Sequence, residues 1–139
     1  MAETTEIVSE VIETGKRVAR RETQVFPDAA SVGDCVRQGD IYLMLLDRVP
    51  RGAKKLGQVP RQLAPGTTQG SRHTLDSLDG VTAYELDDAT EFDGPILCLA
   101  CGRTVEHPEH GNWTLQPGVF AVGYQRTQDA VDRARRVED

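Results

Sequence analysis

The chain has 139 residues, of which 38% are hydrophobic and 27% charged, and a formal net charge of -6 at pH 7. That length supports one sizeable core, the composition is too apolar for a wholly disordered chain, and the acidic balance argues against a general nucleic-acid coat, which needs a basic surface to displace counterions. The start of the chain lacks the charged, apolar and small-residue succession of a secretory signal, so its 3 cysteines are expected as reduced thiols and the protein in the cytoplasm, away from membranes.

Residues 4–26 place Ile7, Val8, Val11, Ile12, Val18, Ala19, Val25 and Phe26 at helical spacing among charged side chains, which predicts an amphipathic helix that ends at Pro27. Gly15 is its weak point, because glycine in a helix interior costs about 1 kcal/mol against alanine. This helical arm, residues 1–26, precedes a single β-rich domain over 27–139. The apolar run Ile41 to Leu46, between Gly39-Asp40 and a Pro50-Arg51-Gly52 turn, is far too short for a bilayer and reads as a buried central strand. Residues 81–86, 96–101, 113–115 and 119–124 read as further short strands, each bounded by turn formers. The last pair forms strand, Pro117-Gly118 turn, strand, with Phe120, Val122 and Tyr124 on one face by alternation. Ala130, Ala134 and Val137 share one side of a short C-terminal helix over 127–137. The expected fold is mainly β, a compact barrel or sandwich-like domain with an N-terminal amphipathic helix and a short C-terminal one.

All 3 histidines fall in two motifs, Gly66-Thr67-Thr68-Gln69-Gly70-Ser71-Arg72-His73 and Glu106-His107-Pro108-Glu109-His110-Gly111. Imidazole is the commonest metal ligand and titrates nearest neutral pH, so convergent histidines suit metal binding or proton transfer. His73, His107 and His110 together would form a three-nitrogen site for one divalent transition metal, zinc first, with Glu109 or Glu106 as a further ligand or base. The competing reading has the same rings hydrogen-bonded to backbone carbonyls, holding a tight turn. In the first motif Thr67, Thr68, Ser71 and Arg72 offer hydroxyls and a guanidinium to a phosphate or carboxylate. The loop lacks the Gly-Lys-Ser/Thr of a Walker sequence. Ser71 is a candidate nucleophile and Glu109 a candidate base.

Cys98-x-x-Cys101 followed by His107-x-x-His110 forms a second arrangement that matches zinc's ligand preferences. Against it, a regular strand would turn the two thiols to opposite faces, as buried core cysteines. Charge is segregated too. Arg48, Arg51, Lys54, Lys55, Arg61 and Arg72 meet no acid between them, while the seven acids from Asp76 to Asp93 meet no base. The pattern fits loops that attract each other or a neighbouring subunit, or a basic loop that steers an anionic ligand.

Arg37-Gln38-Gly39-Asp40, Leu63-Ala64-Pro65-Gly66-x-x-x-Gly70-x-x-His73, His107-Pro108-Glu109-His110-Gly111 and Leu115-x-Pro117-Gly118-x-Phe120-x-Val122-x-x-Gln125-Arg126 together resemble a group of small uncharacterised bacterial and phage β proteins. The resemblance spans residues 36–126 and implies a shared β fold and a shared loop cluster, with no activity attached. Many members of that group carry histidine where this chain has Ser71, which would give a His-x-His pair of which this chain has only His73.

Two functions follow as expectations. One is a small ligand-binding domain whose histidine cluster holds a divalent metal or acts on an anionic, phosphate-bearing ligand. The alternative is a non-enzymatic, self-associating assembly or scaffold protein joined through its N-terminal helix. Sequence-specific nucleic-acid binding is disfavoured, since aromatic residues make up 5% of the chain and supply no stacking platform.

Overall fold

The structure, a computed structural model, describes residues 23–125. Ten strands follow in order: β1 Thr23–Val25, β2 Cys35–Gln38, β3 Ile41–Leu46, β4 Lys54–Lys55, β5 Thr74–Leu75, β6 Val81–Glu85, β7 Asp93–Leu99, β8 Arg103–Glu106, β9 Asn112–Leu115 and β10 Gly118–Tyr124. The helical structure among the described residues is one 3₁₀ turn, Gln69–Ser71.

The strands form two sheets, one ordered β1-β9-β8-β5 and the other β2-β3-β10-β7-β6-β4. The barrel expectation is corrected to two open sheets, because no strand of one is hydrogen-bonded into the other. A single core lies between them, built from Leu43 and Leu45 of β3, Leu97 and Leu99 of β7, Phe120 and Val122 of β10, and Leu75, Val105 and Leu115 of the smaller sheet. Alternation delivers it: in β3 Ile41, Leu43 and Leu45 are buried and Tyr42, Met44 and Leu46 face away. The expected shared face of Phe120, Val122 and Tyr124 is present. The two apolar side chains are buried, and the Tyr124 hydroxyl donates to Leu63 O at 2.9 Å.

Three further expectations change. β3 is interior but second from its edge, with β10 and β7 at the middle of the sheet. The Pro117-Gly118 link is no hairpin, because β9 and β10 belong to different sheets. Proline, lacking an N–H, cannot extend the β9 ladder, and Gly118 at φ 151° lets the chain turn into the second sheet. The end of the predicted N-terminal helix is a strand. Thr23–Val25 pairs in parallel with Asn112–Thr114, and Phe26 N donates to Thr114 O at 2.9 Å before its ring meets Phe120 edge-on at 5.1 Å. A helical spacing in sequence loses here to ladder hydrogen bonds and a buried ring. The rest of that helix and the predicted C-terminal helix lie outside the described residues.

Opposite charge blocks meet within the chain. β4 pairs with β6, which sets Lys54 opposite Glu85 and 3.7 Å from Asp87. Both members of that ion pair are well exposed, so its contribution to stability is small.

Candidate functional site

The two-residue turn between β2 and β3 starts the site. Gln38 and Ile41 are register partners and enclose Gly39 and Asp40. Gly39, at φ 59°, supplies the positive φ that a two-residue hairpin needs at its first turn position. Its missing side chain matters as well: a Cβ there would lie 2.5 Å from Cδ2 of His110. The imidazole of His110 therefore packs directly on the turn's backbone.

Gln38 ends β2 with its side chain pointing inward and 0% exposed. Its Nε2 donates to Val105 O at 3.0 Å and to Gly111 O at 2.8 Å, joining the larger sheet to β8 and to the turn before β9. Carbonyls only accept, so this amide has a single orientation, with Oε1 directed at Nδ1 of His73 at 2.8 Å. Nδ1 of His73 must then carry a proton. On the other side of the ring, Nε2 lies 3.0 Å from Oδ1 of Asp40, so that a proton taken up there would be donated to the carboxylate. Burial pushes the pKa of His73 below the ordinary imidazole value, His107 and His110 push the same way, and the Asp40 carboxylate opposes them.

His107 sits beside His73, with ring centroids 4.4 Å apart, and His110 continues the column at 4.6 Å from His107. The ring of His107 folds over its own turn. Nδ1 accepts the backbone N–H of Glu109 at 3.0 Å and of His110 at 3.1 Å, which leaves Nε2 as the protonated nitrogen, donating to Gly70 O at 3.2 Å. His107 thus fastens the His-Pro-Glu-His turn to the Gly66 to His73 loop, and Asn112 Oδ1 accepts its backbone N–H at 3.2 Å.

The two histidine motifs do meet in space, as a stack. His73 is 0% and His107 3% exposed, while His110 is open to solvent, and its ring has no hydrogen-bond partner among the described residues. This differs from a three-nitrogen ligand set, since both nitrogens of His107 are already engaged. Among the described residues no group of three or more His, Cys, Asp or Glu is arranged to hold a metal ion. The Cys98-Cys101-His107-His110 arrangement is not assembled either. Cys98 lies half-buried on the outer face of β7, and Cys101 is exposed beside Gly80, with its thiol 3.7 Å from Asp79 O. All three cysteines are free, and Cys101, expected as a core thiol, is a surface residue.

The Thr67 to Arg72 loop is closed largely on itself. Ser71 N donates to Thr68 O at 3.0 Å, the Thr68 and Ser71 hydroxyls are 3.3 Å apart, and Gln62 Nε2 donates to Gly66 O at 2.9 Å. No imidazole among the described residues accepts from the Ser71 hydroxyl, so the nucleophile and base of a hydrolytic pair are not joined here. Glu109 contributes its backbone N–H to His107 and has an exposed side chain. Next to the stack, Gln69, Arg72, Thr74, Glu106, His107, Pro108 and Asn112 line an open cleft of about 570 Å³, within the usual range for small-ligand sites. The Arg72 guanidinium and the Glu106 carboxylate form no ion pair or side-chain hydrogen bond among the described residues.

Sequence reasoning missed Gln38 and Asp40 as site residues, although both lie in the Arg37-Gln38-Gly39-Asp40 motif. A glutamine at an inward strand position was the available signal, since a buried amide must find partners. Residues 37–125 match the family described as Domain of unknown function (DUF8820). The chain belongs to that family. The matched region of this DUF8820 member begins and ends on residues that touch: the Arg37 guanidinium donates to Gln125 Oε1, and Gln125 N donates to Asp40 O at 2.8 Å. No curated protein and no solved structure matches the chain. No helix among the described residues is long and apolar enough to cross a membrane.

Proposed function

We propose that this domain binds a small polar ligand in the cleft beside the histidine stack, with Arg72 receiving an anionic group and Glu106 a cationic or hydrogen-bond-donating one. The observation that carries the reading is the pair of unspent opposite charges, Arg72 and Glu106, on one cleft wall-to-wall with Gln69, Thr74 and Asn112. A charge left unpaired beside a concave surface is free to pair with a ligand, and two of opposite sign select a molecule that carries both. The histidines are positioning groups in this reading. His107 ties the cleft's two walls together, and His73 and Gln38 fix His107 from behind.

The test is a titration of ¹⁵N-labelled protein with inorganic phosphate and with phosphoethanolamine, followed by amide shifts. Saturable shifts confined to residues 69–74 and 106–112 are expected, lost for both probes in Arg72→Gln and weakened for phosphoethanolamine alone in Glu106→Gln. Shifts that survive Arg72→Gln, or no saturable shift with either probe, refute the reading.

A further inference from the structure

Four polar side chains on the cleft beside the histidine stack have no partner within the described part of the domain. Among the described residues Gln69, Arg72, Thr74 and Glu106 make no side-chain hydrogen bond or ion pair, yet all four line the same open space of about 570 Å³. Elsewhere on the same small sheet polar groups are spent on one another. The Thr104 and Thr114 hydroxyls lie 2.9 Å apart, and Asp76 Oδ1 accepts Thr104 N at 3.1 Å.

The strands lay these groups out. Thr74 of β5 and Glu106 of β8 are antiparallel register partners, which sets their Cβ atoms about 4.5–5.5 Å apart on one face of the sheet. Arg72 comes two residues before Thr74, and Gln69 opens the 3₁₀ turn ahead of it. In chain and register order the Thr74 hydroxyl thus stands between the guanidinium and the carboxylate. Asn112 adds an amide of fixed orientation. Its Oδ1 accepts His107 N at 3.2 Å, so Nδ2, with one long contact of 3.5 Å to Thr23 Oγ1, is the group it offers.

An anion cradle would present donors alone, and a cation cage acceptors alone. This wall mixes them: Arg72 and Asn112 Nδ2 donate, Glu106 accepts, and Thr74 and Gln69 do both. A ligand hydroxyl also donates one hydrogen bond and accepts two, so adjacent hydroxyls match such a wall where a methylene or an ammonium leaves part of it unpaired. No Phe, Tyr or Trp lines the cleft, and Pro108 is its apolar member. A nucleobase therefore lacks the stacking platform that it would use.

We propose that the ligand of this cleft is an anionic monosaccharide, a polyhydroxylated ring with one carboxylate or phosphate. Arg72 holds the anionic group, Glu106 accepts from ring hydroxyls, and Thr74 and Gln69 exchange hydrogen bonds with the hydroxyls between. The assignment rests on the cleft reading given above and identifies the second ligand group as hydroxyls.

The experiment titrates ¹⁵N-labelled protein with D-glucuronate, glucose 6-phosphate, glucose and cyclohexanecarboxylate. The last keeps the ring size and charge of glucuronate without its hydroxyls. Saturable amide shifts over residues 69–74 and 106–112 are expected for at least one anionic sugar, with a Kd on the order of 1 mM, and which of the two binds tells carboxylate from phosphate. Glucose and cyclohexanecarboxylate should bind at least about tenfold more weakly, since each lacks one half of the recognised chemistry. Thr74→Val keeps the side-chain shape and removes the hydroxyl. It should weaken the anionic sugar roughly 3- to 10-fold, the effect of one hydrogen bond, and leave inorganic phosphate binding unchanged. Cyclohexanecarboxylate binding as tightly as glucuronate, or a folded Thr74→Val protein that binds the sugar unchanged, overturns the sugar assignment. So does phosphate binding with neither anionic sugar bound, which leaves the anion site at Arg72 standing; no binding of phosphate or phosphoethanolamine either removes both readings.

Discussion

Replacing Gln38 by leucine tests the polar joint between the sheets. Gln38 makes three buried hydrogen bonds, to His73 Nδ1 at 2.8 Å, Val105 O at 3.0 Å and Gly111 O at 2.8 Å. Leucine keeps the volume but leaves three buried partners without this bond. Each group left unsatisfied costs about 1–3 kcal/mol, and burying the leucine returns roughly 1.5–3 kcal/mol. The net loss is about 3 kcal/mol, a large share of the 5–15 kcal/mol typical of a domain. In urea that lowers the unfolding midpoint by roughly 1–3 M for a small protein. The double variant Gln38→Leu/His73→Leu should lose about 1–2 kcal/mol less than the two single losses together, since each single change strands the other's partner. A midpoint within about 0.5 M of the unmodified protein, or strictly additive losses, would refute the joint.

Acid should destabilise this domain through His73. The unfolded chain takes up the imidazole proton near pH 6.5, as the ordinary value requires. The folded chain does so only at lower pH, because burial and the adjacent His107 hold the pKa down. The unfolded state thus binds more protons in that window, so the stability present above about pH 6.5 is lost as pH falls through the folded value. Urea midpoints from pH 7 to pH 5 should decline less steeply in His73→Gln and more steeply in Asp40→Asn, which removes the group that raises the pKa; equal slopes in all three would contradict the assignment. Gly39→Ala should cost about 1–3 kcal/mol from the positive φ alone and displace the His110 ring, read as a shift of its Cδ2 proton. Equimolar zinc is expected to perturb His110 and leave His107 signals in place, whereas near-stoichiometric metal in purified, tag-free protein, lost in a His73, His107 and His110 triple alanine variant, would overturn the nitrogen assignments of the stack.

Local pattern alone located β3, β6, β9 and β10 to within about a residue or two, because alternation and Gly, Pro and Asp punctuation are written in the strands themselves. It also grouped the three histidines into two loops that the fold brings together. Partnership was beyond it. Whether β9 pairs with β10, whether Thr23 to Val25 joins a ladder, and whether Gln38 faces His73 depend on contacts between segments far apart in the chain: 35 residues for Gln38 and His73, and 89 for Asn112 and Thr23. Nor could it separate a ligand set from a stack. The same three imidazoles serve either, and the choice rests on which nitrogens are already taken. In His107 both are, by two backbone N–H groups and the Gly70 carbonyl, and only the folded chain places those partners within hydrogen-bonding distance.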